Sequence, residues 1–202
     1  MIVRPIFPEP VYVSTIDRAL TKEELKTINK YKKETNKNEG NLTSSDNYVL
    51  ENKTLKNLKE DLQKRVVDYF DKVICTTNSI TPYITQSWIN YTETNQFHHS
   101  HFHSNSYVSG VFYIAAKKEV DQIIFYRHDQ KTFELSVARY NDFNSASWWC
   151  SVQTGDVVLF PSSLHHGVEK KKGPDTRISL SFNVFFKGKI GATARLTELT
   201  LG

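Results

Sequence analysis

The chain has 202 residues, of which 39% are hydrophobic, 12% aromatic and 24% charged, with a formal net charge of +4. That length suits one domain with a full core and is short for two, and the composition excludes a disordered or collagen-like chain. Its basic residues are spread out apart from Lys170-Lys171-Lys172, so no clustered basic and aromatic face indicates nucleic acid, and no apolar run approaches the length that spans a bilayer. Cys75 and Cys150 have no metal-binding spacing and read as two free thiols in a reducing cytoplasm. The first thirteen residues are broken by Pro5, Pro8 and Pro10 and lack the pattern of a secretion signal, so a cytoplasmic location is expected.

Pro10 to Val13 reads as a short extended segment. Thr21 with Glu24 three residues on makes a capping box, which predicts a helix to about Lys33. The stretch Asn36 to Asp46, rich in Asn and Ser with Gly40, is expected to be a surface loop. From Leu55, apolar residues at Leu58, Leu62, Val66, Tyr69/Phe70 and Val73 fall in steps of three and four, the mark of an amphipathic helix on a core.

After Pro82 the period changes to two. Strands are expected over Tyr83 to Tyr91, Tyr107 to Ala115, Gln122 to Tyr126, Phe133 to Val137, Trp148 to Val152, Asp156 to Phe160 and Thr176 to Phe186. Helices first and many short strands after them predict a mainly β sandwich or jelly roll with helices on one outer face. The helical support would occupy about 20–78 and the jelly-roll core about 83–187 of one domain.

Six of the seven histidines lie in two patches, Gln96-Phe97-His98-His99-Ser100-His101-Phe102-His103 and Phe160-Pro161-Ser162-Ser163-Leu164-His165-His166-Gly167-Val168. In an extended chain His101 and His103 share a face, about 7 Å apart by the usual rise, while Phe102 faces away. Two such imidazoles can lean onto one ion with bonds of about 2.0–2.1 Å, but a distant third ligand is needed. One of His165 and His166 can supply it, since extended backbone turns only one of them inward. His99 has the parity of the HxH pair and is a rival ligand.

The segment Arg177 to Val184 alternates strictly, with Arg177, Ser179, Ser181 and Asn183 on one face and Ile178, Leu180, Phe182 and Val184 on the other. A hairpin return from His166 would bring the polar face beside the metal. A guanidinium there can grip a carboxylate bidentately, with the Ser179 hydroxyl beside it.

The order HxH, then Ser109-Gly110-Val111-Phe112-Tyr113, then Phe160-Pro161-Ser162 leading to His166-Gly167-Val168, then Arg177-Ile178-Ser179 with Phe182-Asn183, resembles the Fe(II)/2-oxoglutarate dioxygenase superfamily. Within it the likeness is to oxygenases of bacteria and phages related to prolyl hydroxylases, and it runs from about Trp88 to Phe186. The resemblance implies a double-stranded β-helix, with Fe(II) on His101 and His166 and 2-oxoglutarate anchored by Arg177 and Ser179. It gives Tyr113 a hydrogen bond to the co-substrate and sets Asn90 and Asn183 at the pocket border. The implied reaction consumes dioxygen and 2-oxoglutarate, releases succinate and carbon dioxide, and hydroxylates a substrate that the sequence does not identify. For a phage chain the location would be the host cytoplasm.

One departure stands out: most of the superfamily carries Asp or Glu where this chain has His103. His103 can take that ligand position, or turn away, with Glu93 or Asp156 as carboxylates elsewhere. Two other readings remain, a three-histidine cupin-type metal centre without a keto acid and a non-catalytic jelly-roll binding module. A homodimer through an exposed sheet is allowed but not required.

Overall fold

The computed structural model describes residues 2–127, 133 and 135–202. The chain begins with strand β1 (Tyr12–Thr15) and helix α1 (Lys22–Tyr31). The capping box is present: the Thr21 hydroxyl accepts from Glu24 N (3.1 Å), and Glu24 Oε2 accepts from Thr21 N (2.7 Å). Arg18 then grips both oxygens of Glu24 (2.8 Å each) and donates to Asp61 (2.7 Å), tying the start of α1 to helix α2 (Lys56–Tyr69). On α2, Leu58, Leu62 and Val66 are fully buried, each contributing about 1.5–3 kcal/mol relative to exposure. The helix runs on into a π-helical turn at Phe70–Ile74, so the apolar spacing read from the sequence holds.

Residues 36–46 are not a loop. They form most of a hairpin, β2 (Thr35–Lys37) and β3 (Leu42–Ser44), closed by Asn38 N donating to Asn41 O (3.0 Å) around Gly40 at φ +93°. Polar residues can form strands here because β3 completes the hydrogen bonding of strand β4 (Ile80–Thr92), pairing Leu42 with Tyr91 and Thr43 with Asn90. Backbone pairing outweighs the low strand propensity of Asn and Lys.

The remaining strands are β5 (His98–His101), β6 (Val108–Ala115), β7 (Gln122–Tyr126), β8 (Ser147–Ser151), β9 (Asp156–Pro161), β10 (His165–Val168), β11 (Arg177–Ile190) and β12 (Leu199–Leu201). The expected strand Phe133 to Val137 falls partly outside the described residues, and residues 135–137 carry no strand. Beyond its predicted end at Phe186, β11 continues to pair with β12 (Gly188 with Leu201).

One sheet has the order β1-β9-β6-β11-β4-β3-β2, with β12 also on β11, and the other has the order β5-β10-β7-β8. All the strand pairs are antiparallel. This is the double-stranded β-helix. The period of two divides the large sheet's residues between two cores. Val157, Leu159, Ile89, Tyr91, Leu180 and Phe182 pack with the helices, while Val158, Phe160, Val111 and Tyr113 pack with Ile123, Phe125 and Leu164 of the other side. The polar members of the inward face, Trp88, Asn90 and Thr92 of β4 and Arg177, Ser179, Ser181 and Asn183 of β11, therefore line the interior opposite β5 and β10.

Gly110 pairs with Phe182 across β6 and β11. A Cβ at Gly110 would overlap the buried Phe182 ring and come within 2.8 Å of Leu159 Cδ2. Gly110→Ala is therefore expected to lower the unfolding free energy by about 1–3 kcal/mol by overpacking, read from the midpoint of chemical denaturation.

Candidate metal and co-substrate site

Three histidines meet at one end of the smaller sheet. β10 pairs with β5 so that His166 and His101 are direct cross-strand partners, and antiparallel partners on one face bring their side chains close. Their rings lie 4.4 Å apart. After His101 the chain leaves the strand with Phe102 exposed, its ring stacked on His165 at 5.1 Å on the far face. His103 N donates to Ser162 O (2.9 Å), which holds the HxH arm against the loop between β9 and β10. The alternation read from the sequence thus turns His101, His103 and His166 inward and Phe102 and His165 outward.

The ligating atoms of His101, His103 and His166 all lie within 4.8 Å of one another. Each Nδ1 faces an oxygen: His101 Nδ1 donates to His99 O (2.9 Å), His166 Nδ1 to Leu164 O (3.0 Å) and His103 Nδ1 to Asn183 Oδ1 (2.6 Å). A backbone carbonyl can only accept, so in His101 and His166 the proton sits on Nδ1 and the Nε2 lone pair is free, and His103 matches them with the Asn183 amide oxygen turned to its Nδ1. The Nε2 atoms of His101 and His103 are 3.1 Å apart, where two lone pairs repel unless a cation lies between them. Two bonds of about 2.1 Å meeting at about 90° would set their nitrogens about 3.0 Å apart, so the donor set fits one metal ion.

Burial keeps these rings neutral. It lowers the pKa of His166 to about 3, with His101 next door adding to the effect, and that of His103 to about 4 against the opposing pull of its bond to Asn183. His101 is lowered in the same way. The supports continue outward, with Ser109 Oγ 2.9 Å from His103 Nδ1 and 2.9 Å from Ser162 Oγ, which donates to Ser106 Oγ (2.7 Å).

Neither carboxylate weighed from the sequence replaces His103. Glu93 is bonded to Thr176 (2.7 Å) and Lys32 (3.2 Å), and Asp156 accepts from Gln153 N (2.9 Å). Among the described residues, no Asp or Glu joins the three histidines. His99 also stays outside that group. Half-buried, with Nδ1 3.9 Å from Glu39, it contributes its backbone carbonyl to His101 instead.

Arg177 is 3% exposed and donates to Thr92 Oγ1 (3.2 Å), while its Nε has no partner. Among the described residues it has no carboxylate within ion-pair distance. Burial lowers its pKa, and it feels Tyr113 and Asp121. Tyr113 is fully buried, which raises its pKa, and it pairs with Ser179, which also pairs with Asn90. Asn90 Nδ2 donates to Ser181 Oγ (2.9 Å), leaving its Oδ1 without a partner. Arg177 stands at the start of β11, the strand that also carries Asn183, the partner of His103.

The wall in front of the histidines has little signal in the sequence. An open cavity of about 390 Å³ is lined by Trp88, Gln86, Thr43, Asn38, Asn47 and Ser104 together with His98, His99, His101, His103 and Asn183. The alternation of Trp88, Asn90 and Thr92 against Ile89 and Tyr91 was the available signal for Trp88. Asn38 and Thr43 gave none, because they reach the site only through the hairpin.

Residues 86–183 match a family model described as "Putative 2OG-Fe(II) oxygenase". That segment, just under half of the chain, is similar to the Fe(II)/2-oxoglutarate oxygenases. No curated protein matches the sequence, but solved structures share the fold. A 2OG-Fe(II) oxygenase family oxidoreductase from Burkholderia pseudomallei is 13% identical with a TM-score of 0.56, covering 85% of this chain and 83% of its own. A prolyl-4-hydroxylase from Pseudomonas putida is 11% identical with a TM-score of 0.56, covering 87% and 92%. HygX from Streptomyces hygroscopicus, solved with nickel, 2-oxoglutarate and hygromycin B, is 11% identical with a TM-score of 0.54, covering 87% and 82%. No helix among the described residues is long and apolar enough to cross a membrane.

Two outcomes are expected of this site. Removing the Asn183 support of His103 by Asn183→Leu should weaken metal binding about 10–100-fold in a chelator competition. The metal-free protein should lose stability in acid, with the sign set by the depressed histidines. Above pH 6.5 both folded and unfolded rings are neutral. Below it the unfolded rings take up protons that His166 and His103 refuse until about pH 3 and 4. Denaturation midpoints should therefore fall as pH drops from 6.5 to 4, and a His166→Gln variant should show a shallower fall.

Proposed function

We propose that this protein is an Fe(II)- and 2-oxoglutarate-dependent oxygenase that hydroxylates a C–H bond of a small or exposed substrate group. The observation that carries the reading is the convergence of three neutral, Nδ1-protonated imidazoles within 4.8 Å, joined to a buried guanidinium that lacks an anion. Either feature alone has ordinary explanations. Together they supply what a chelating keto acid needs, an open metal and a fixed carboxylate anchor.

In this reading His101, His103 and His166 hold the iron through Nε2, and Arg177 holds the far carboxylate of 2-oxoglutarate. A guanidinium 3% exposed pays for its desolvation only when an anion and hydrogen bonds complete it. The Nε of Arg177 is the unfilled donor, and Ser179 and Tyr113 offer hydroxyls beside it. The Asn90 amide can turn so that Oδ1 accepts from Ser181 and Nδ2 faces the co-substrate. Iron, when bound, supplies the coordination sites at which keto acid and dioxygen react. The overall change balances as 2-oxoglutarate, dioxygen and R–H giving succinate, carbon dioxide and R–OH, with one oxygen atom in succinate and the other in the product.

The chain's own residues orient and enclose. Val158, Phe160 and Leu164 close the back of the site against water, and the tied Nδ1 protons keep the rings from turning. None of these residues is needed as a general acid or base. With His103 in place of a carboxylate, the site carries one more unit of positive charge, which the dianionic keto acid offsets. The same three-histidine set also suits a cupin-type centre that uses no keto acid, but that reading leaves the buried Arg177 without a task.

Anaerobic addition of Fe(II) and 2-oxoglutarate should produce a visible metal-to-ligand charge-transfer band. Arg177→Met is expected to weaken 2-oxoglutarate binding about 30–1000-fold, the cost of losing one side of a buried charged pair, while metal affinity changes less than about threefold. A metal site that gives no band and ignores Arg177→Met would belong to the cupin reading. His103→Asp, which restores the usual donor, should keep or raise iron affinity if His103 is a ligand.

A further inference from the structure

The cavity in front of the histidines has a chemistry of its own, and the following inference rests on the oxygenase reading of the same site. None of the residues that line it is Lys, Arg, Asp or Glu. Around the mouth, the side chains of Asn47, Gln86, Thr43 and Ser104 make no hydrogen bond within the protein among the described residues. These are uncommitted groups that both donate and accept. One wall is the half-buried ring of Trp88, whose centroid lies 5.5 Å from that of His103. The floor is His101 and His103, so whatever lies on the tryptophan presents its carbons to the metal position.

We infer that this cavity binds a neutral, polyhydroxylated ring, a sugar or the sugar unit of a glycoside, with the ring's C–H face on Trp88 and its hydroxyls on Asn47, Gln86, Thr43 and Ser104. An amide group presents a donor and an acceptor side by side, which matches adjacent hydroxyls, while an aromatic face suits the apolar side of a pyranose. A phosphate or carboxylate would call for Arg or Lys, and a bound cation for an acid or an aromatic cage. The nearby acid is Glu39, 71% exposed at the rim beside His99. β3 and β4 are held on both sides in the large sheet, whereas β5 is an edge strand of the smaller one, so a peptide is the competing occupant that the test includes. A volume of about 390 Å³ lies in the range of small-molecule sites of about 300–1,000 Å³. The reaction would replace one ring C–H by C–OH, with 2-oxoglutarate and dioxygen consumed as above.

The test is saturation-transfer difference NMR on the zinc-loaded protein without co-substrate. The probes are the methyl glycosides of glucose, galactose, mannose and N-acetylglucosamine, with maltose and cellobiose, set against glucose 6-phosphate, glucuronate, glucosamine, adenosine and an end-capped Gly-Pro-Gly peptide. At least one neutral sugar should bind saturably and in preference to the charged sugars, adenosine and the peptide. Gln86→Ala and Asn47→Ala, both at exposed positions, should each weaken it about 3–10-fold, as for one hydrogen bond. Trp88→Ala should weaken it at least tenfold, with Trp88→Phe recovering part. Glu39→Gln should leave it unchanged. If Trp88→Ala does not fold, the Gln86 and Asn47 variants decide. The proposal is overturned if no neutral sugar binds, if binding ignores these variants, if it requires Glu39, or if the peptide or adenosine binds in preference. Sugar binding without the Fe(II)/2-oxoglutarate band would sink the oxygenase reading and leave the sugar site standing. The band without sugar binding would do the reverse.

Discussion

The Nδ1 protons of His101, His103 and His166 fix the direction in which three lone pairs point, and the rest of the structure serves to keep those protons in place. Two go to backbone carbonyls two residues earlier, His99 O and Leu164 O, so the strands themselves set the tautomers. The third goes to the Asn183 side chain, which reaches across from β11. A slip of one residue between β5 and β10 would turn the whole arm to the other face. The pairing of His166 with His101, flanked by that of His165 with Tyr126 in the next strand, is thus the constraint on which the metal site depends.

That register is itself set by packing. Phe160 lies against His166, with ring centroids 4.5 Å apart, and against Phe125 at 5.0 Å, so the same aromatic contacts that close the sandwich desolvate the ligand. Desolvation has two consequences here. It holds the imidazoles neutral and available to a metal, and it leaves Arg177 as a charge in want of an anion. A single low-dielectric interior produces both halves of the site.

The two layers of the molecule divide the work. Helices α1 and α2 cover the outer face of the large sheet, where Leu58, Leu62 and Val66 meet Ile89, Tyr91 and Phe182. Strand β11 shows that apolar core on one face and Arg177, Ser179, Ser181 and Asn183 on the other. The hairpin of β2 and β3 extends the same sheet to form the cavity wall, and the polar composition that makes it look like a loop is what makes the cavity polar.

By itself the sequence determined whatever depends on local period. The capping box at Thr21, the three-and-four spacing of α2, the alternation of β11, and the shared face of His101 and His103 are properties of neighbouring residues, and each is present in the structure. The family resemblance added the pairing of distant motifs that no local pattern contains. Only the tertiary structure decided matters that depend on which strands meet. It excluded His99, Glu93 and Asp156 from the histidine cluster, while turning inward the His166 that the resemblance implied. It also made a hairpin of residues 35–44 and brought Asn38, Thr43 and Asn47 before Trp88. The physical reason is that side-chain direction follows from a strand's own period, whereas proximity follows from register between strands far apart in the chain. Register is fixed by the burial of both sheet faces at once, a property that no single segment carries.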